Sequence, residues 1–267
     1  MAVKKSETSG EVYIARVNRE TYTFCILGTA PLICNRMSQK ARQELLLPKG
    51  RKTAAEKAVS LKHNPFEEYR ASPYLATDPN APTRIQLLSA MFKKALMTAA
   101  LDMPGAKKAQ IGRLLYVVGD RVPVWGVPKL MMSVTRSADI NKTPDIRTRA
   151  ILPVWACEVT VSFVAPIIRL PSVVNLLVAS GITSGIGDWR VEKGSGSYGT
   201  FDVVEKDDPR FRMVVESGGA EAQQAALDNP EPYDDETAEL LSWYSVEANR
   251  RGFKVDTKPR DDEGKGE

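Results

Sequence analysis

Apolar positions along the chain come in short bursts of two periodicities, one close to two residues and one close to three and a half. Glu20 to Gly28 (ETYTFCILG) is rich in β-branched and aromatic residues and predicts a first strand. Pro31 interrupts the run that follows, and Ser38 is placed to cap a helix over Gln39 to Leu47. A basic connection over 48–56 leads to a short helical segment ending near Leu61. The stretch from His63 to Thr83 holds several prolines and predicts a loop that packs on the body through Phe66, Tyr69 and Tyr74. Ile85 to Asp102 has the strongest helical spacing, with Ile85, Leu88, Met91 or Phe92, Ala95, Leu96 and Ala99 on one face. Lys107 to Leu115 adds a helical turn. Tyr116 to Val124, Met131 to Ser137 and Trp155 to Val164 read as extended.

Two further segments carry charge in a pattern. In Asp145 to Pro153 (DIRTRAILP), alternation puts Arg147 and Arg149 on the same side of an extended segment. Leu170 to Ser180 predicts a short apolar helix, with Pro171 at its start and Gly181 at its stop. Beyond it, Ile182 to Val204 contains five glycines, Gly185, Gly187, Gly194, Gly196 and Gly199, before a strand-like end. Glycines allow a backbone to approach a ligand closely and present its N–H groups. Trp189 and Tyr198 are set to stack on bases, and Arg190 and Lys193 to meet phosphates. The bland alternatives are a surface loop with solvated cations, and Trp189 as a plug anchoring the loop to the core.

Composition sharpens this picture at one point. The net charge of +4 divides unevenly along the 267 residues. Residues 1–204 carry 28 Lys and Arg against 16 Asp and Glu, or +12, and residues 205–267 carry 9 against 17, or −8. A basic body suits a polyanion, and an acidic tail can compete for the same surface. No apolar run reaches membrane-spanning length, and the start MAVKKSETSG lacks the apolar core of a signal peptide. With Cys25, Cys34 and Cys157 too few and scattered for a disulfide framework, the expectation is a cytoplasmic protein with reduced core thiols. The expected division is a flexible segment over 1–19, a body over 20–204, and an acidic extension over 205–267 with one helix from Thr237 to Arg250 and a disordered end.

The order strand, helix, middle strands, strand, helix, glycine loop, strand is that of a split β-α-β unit. In Ile26 to Arg36 (ILGTAPLICNR), in DIRTRAILP and in the glycine loop Gly181 to Gly199, the chain resembles the RAMP superfamily, the repeat-associated proteins of CRISPR systems. The likeness is to their Cascade backbone subunits in particular. The chain is also similar to phage-encoded proteins. The resemblance covers 20–204 as topology and reaches motif level only at those three places; it does not extend to an aromatic ribonucleoprotein motif, to 48–82 or to the tail.

That resemblance implies an α+β fold, with a ferredoxin-like or RNA-recognition-like antiparallel sheet and helices on one face. It implies a protein that grips single-stranded RNA or DNA by its backbone and tiles along it with copies of itself or other subunits of a ribonucleoprotein. Arg36 and Lys40 after the first strand, with Arg147, Arg149, Arg190 and Lys193, are its candidate phosphate contacts. Neither catalysis nor a metal or other cofactor is expected. The lone His63, in KHNPF, reads as a surface or helix-end residue, with an endoribonuclease as the competing possibility. Two other readings are a phage single-stranded DNA-binding protein, and an assembly protein whose glycine loop meets only protein.

Overall fold

The computed structural model describes residues 16–37, 46, 63–136, 144–193, 196–253 and 255. The fold is α+β. Its main sheet is built on β1 (Asn18–Gly28), β9 (Ala156–Ala165) and β10 (Phe201–Val204), extended by β6 (Arg121–Trp125), β4 (Ile85–Leu88) and β3 (Tyr74–Leu75). The spatial order is β10-β1-β9-β6-β4-β3, with β5 (Leu115–Val117) also pairing β9, and every pairing is antiparallel. A second sheet of three strands has the order β2-β8-β7, from Leu32–Ile33, Pro144–Leu152 and Lys129–Arg136.

Helices α2 (Ser89–Ala99) and α4 (Leu170–Thr183) pack on each other, and α4 packs on β10. With β1, β6, β9 and β10 they form a β-α-β-β-α-β unit whose strands lie in the order fourth, first, third, second. That is the expected ferredoxin-like arrangement. Ile26, Cys157, Val159, Val161 and Phe163 face these helices and meet Phe92, Leu96, Val173 and Leu177 in the main core. Trp155 is fully buried there, edge-on to Phe201 at 6.3 Å, with its indole N–H donating to the Ala30 carbonyl at 2.8 Å. The other face of the sheet is not bare. Cys25, Leu27 and Ala156 are covered by Phe211 and Val214 of α5 (Pro209–Ser217).

Several sequence expectations shift. Ile85–Leu88 is strand rather than the start of a helix, because its backbone pairs with β6 and only Ile85 and Leu87 point inward. The 116–124 run is two strands, β5 and β6, broken at 118–120, where Gly119 takes φ +78°. Gly181 does not stop α4. It lies inside the helix, buried, where a Cβ would overlap the Phe201 carbonyl, so its use is close packing. Part of the 63–83 stretch, expected as a loop, is α1 (Pro65–Ala71), capped by the Asn64 side chain, which accepts from the Glu67 N–H at 3.4 Å. Its aromatics do bury: Phe66 and Tyr69 belong to the core. Helix α3 (Lys108–Leu114) stands where a turn of helix was expected. The helices expected over 39–47, apart from Leu46, and before Leu61 lie outside the described residues.

Residues 205–253 are knit into the body. In α6 (Ala220–Asp228), Gln223 is fully buried: its amide donates to the carbonyls of Val124, Gly126 and Gly218 and accepts from the Ile85 N–H. Arg70 and Tyr69 donate to carbonyls of Ala226, Leu227 and Asp228. α7 (Asp235–Arg250) is capped by Asp234, and Thr237 near its start accepts from the Met132 N–H at 3.2 Å.

Candidate nucleic-acid interface

Period-two alternation along β8 places Asp145, Arg147, Arg149 and Ile151 on one side of the small sheet. Antiparallel register sets Ser133 opposite Arg147 and Met131 opposite Arg149 on β7, and Ile33 opposite Ile151 on β2. Ile33, Met131 and Ile151 form a buried apolar patch, against which Trp189, Tyr198 and Tyr233 pack. The result is a cleft lined by Ser133, Arg147 and Arg149 along the sheet, and by Asp188 and Trp189 of the glycine loop at one end.

The two arginines differ. Arg147 is exposed, and among the described residues its guanidinium has no hydrogen-bond or ion-pair partner. Arg149 is three-quarters covered: Nη1 donates to the Thr148 carbonyl at 3.2 Å, and Nε lies 3.8 Å from Asp188 Oδ2 without a true hydrogen bond.

Above them, the glycine loop is bolted down rather than open. The N–H groups of Ile186, Asp188, Glu192, Lys193, Tyr198 and Gly199 all donate to protein carbonyls. Gly199, at φ +69°, passes so close to the Ile186 carbonyl that any Cβ would overlap it; Gly187, at φ +83°, lies against Ile33 and Leu32 in the same way. The loop's glycines therefore let backbone pack on backbone; Gly185 and Gly196 sit likewise against Tyr198 and Trp189. Trp189 adopts φ +47°, a left-handed conformation that costs a bulky residue energy. It is held there by its N–H to Asp188 Oδ1 at 3.1 Å and its carbonyl to the Tyr198 N–H at 3.3 Å. The Trp189 and Tyr198 rings lie 6.2 Å apart at 45°. Burial and the neighbouring Tyr233 and Asp234 push the Tyr198 hydroxyl above its ordinary pKa, so it stays a neutral donor.

The remaining candidates are scattered. Arg190 is turned inward: Nε donates to Glu192 Oε2 at 2.7 Å and Nη1 to the Gly187 carbonyl at 3.1 Å. Burial would raise the Glu192 carboxyl, but the Arg190 contacts outweigh that and hold it below its ordinary value. Lys193 is exposed at the end of a short 3₁₀ turn, Val191–Lys193. Arg36 does not line the cleft; its guanidinium stands 6.0 Å from the Tyr74 ring centre, which Arg121 approaches at 4.5 Å. Lys40 and Gly194 lie outside the described residues. Sequence reasoning missed Ser133, Met131 and Asp188, because neither the β7–β8 register that brings the first two to Arg147 and Arg149 nor the packing of the glycine loop on Ile33 that brings Asp188 leaves a local signal.

His63 sits between two carboxylates, Nδ1 at 2.8 Å from Glu68 Oε1 and Nε2 at 3.0 Å from Asp145 Oδ1. The Glu68 hydrogen bond, against some desolvation and with help from Asp145, raises its pKa, so the imidazolium donates to both. Neither ring nitrogen is open to take a proton from a substrate. The three cysteines are unpaired and buried. Burial pushes Cys34 up to about 12, and Cys25 and Cys157 also titrate high, so none is a ready nucleophile. Among the described residues no group of three or more His, Cys, Asp or Glu could hold a metal, and no helix is long and apolar enough to cross a membrane. No protein-family model matches the chain, and no curated protein does.

Proposed function

We propose that the protein binds single-stranded nucleic acid without cleaving it, RNA before DNA, through the cleft on the β2-β8-β7 sheet. One observation carries this reading: an exposed arginine with no partner among the described residues, Arg147, stands beside a second arginine and the strained Trp189, whose ring pairs with Tyr198. Phosphates supply sequence-independent affinity to such cations, and bases stack on such rings. A tryptophan held at positive φ fits a positioned contact better than a chance surface residue. In this reading the loop's glycines act indirectly, by fixing Trp189 in place.

The protein would work in the cytoplasm, as a RAMP-like subunit tiling along the strand with copies of itself or with other subunits of a ribonucleoprotein. The closed hydrogen bonding of His63 favours binding over cleavage. The test is to purify the full chain, digest any co-purified nucleic acid separately with RNase and DNase, and titrate a fluorescein-labelled oligouridine against increasing NaCl. RNase-sensitive material and an affinity that falls log-linearly with salt are expected. DNase-sensitive material would move the reading to a single-stranded DNA-binding protein. A clean protein with no affinity for either polymer overturns it.

A further inference from the structure

Among the described residues that line the cleft, Asp188 is the one acid beside two arginines. Its place is fixed by backbone: its N–H donates to the Ile33 carbonyl at 3.0 Å, and its Oδ1 accepts the Trp189 N–H at 3.1 Å. Its other oxygen, Oδ2, stands 3.8 Å from Arg149 Nε. That nitrogen is buried with no hydrogen-bond partner, so the contact is charge against charge at a distance too long to satisfy the donor. An unsatisfied buried guanidinium N–H beside an aspartate with one oxygen already engaged is an incomplete pair. With Oδ2 displaced, a phosphate at the mouth of this shallow cleft, beside Arg147 and Ser133, would complete it.

We infer that Asp188 is a built-in competitor for Arg149: a phosphate of the bound strand takes over the guanidinium as the Asp188 carboxylate is pushed aside or screened. This rests on the proposed nucleic-acid site. The competitor makes the first phosphate weakly held by itself and favours ligands that also stack on Trp189 and reach Arg147, so single phosphates and loose polyanions are discriminated against. It also keeps Arg149 aligned in the empty cleft, where an unopposed guanidinium would swing away. The acid thus sets selectivity at the cost of affinity.

Asp188→Asn separates these roles from folding, because the amide oxygen can still accept the Trp189 N–H and only the charge is lost. The inference predicts that Asp188→Asn binds fluorescein-labelled oligouridine about fivefold more tightly than the parent at low salt, a gain that shrinks as salt rises, because a negative charge facing the bound phosphate is gone. It also predicts that free inorganic pyrophosphate becomes a better competitor of that binding. In an Arg149→Met background the same Asp188→Asn change has no effect, since the group it competed for is gone. Equal or weaker binding by Asp188→Asn, with the parent still binding the oligonucleotide, overturns the competitor and leaves the site. An unchanged gain in the Arg149→Met background overturns it as well, reducing Asp188 to a general negative charge. Absence of binding by both parent and variant overturns the site and the competitor together.

Discussion

The glycine loop and the β7–β8 sheet each offered two cations to a ligand, and the fold treats Arg190 and Arg147 in opposite ways. In the loop, Arg190 is consumed by Glu192 and the Gly187 carbonyl, and most backbone N–H groups are bonded to protein. On the sheet, Arg147 stands in solvent with no partner among the described residues, and Arg149 is only loosely opposed by Asp188. The difference follows from geometry. A loop seventeen or so residues long must satisfy its own polar groups wherever it is buried, so its side chains are recruited as internal struts. A strand satisfies its backbone through the ladder, and every second side chain is left for other work.

That contrast can be broken most sharply at Gly199. Adding the Val side chain there sets a branched residue at φ +69° against the Ile186 carbonyl, and Gly199→Val is expected to destabilise the fold by about 3 kcal/mol or more. A urea midpoint close to the parent's would show that the loop is not bolted to the body. Arg190→Ala comes next: it strands Glu192, four-fifths of whose side chain is covered, and should cost about 1–2 kcal/mol of stability without altering the salt slope of binding. A slope change with stability intact would make Arg190 a ligand contact after all. Arg147→Ala should do the reverse, weakening oligouridine binding about tenfold and flattening the slope by about 0.7 while leaving the melting temperature alone.

The smallest effect concerns the corner where His63 ties α1 to β8. Its pKa is raised in the folded state, so its contribution is complete below the ordinary value of 6.5 and disappears as pH rises through the higher folded value. The parent should therefore lose a fraction of a kcal/mol more stability than His63→Ala between mildly acid and mildly alkaline pH, the groups being partly exposed. Parallel pH profiles for the two would show that the imidazolium clamp contributes nothing.

Much of this was legible in the chain. Strands β1, β7, β8 and β9 were visible as extended runs, and α4 and α7 as apolar periodicity. Two missed helices had signals in plain view. Asn64-Pro65 and Asp208-Pro209 each pair a capping side chain with a proline in the first turn, and both caps are made. The Asp208 carboxyl, hydrogen-bonded by the Arg210 side chain and by the Arg210 and Phe211 N–H groups, is held down to about 2. Ile85–Leu88 was misread for a better reason: four apolar-rich residues running into a helix fit either period, and only pairing with β6 decides between them.

By itself the sequence determined the sites of most elements and the alternation that puts Arg147 and Arg149 on one face, because these depend on local spacing. Which cations remain available was decided by tertiary structure alone. Arg190 and Arg147 look alike in the chain, yet one is folded back on a carboxylate and a carbonyl of its own loop and the other stands exposed beside a shallow cleft. The register of β7 against β8 brings Ser133 and Met131 beside the arginines, and the packing of the glycine loop on Ile33 delivers Asp188 and Trp189 to the same place. Both are long-range events, set by a core that buries Trp155 and Phe201 beneath the loop, and no short window of residues records them.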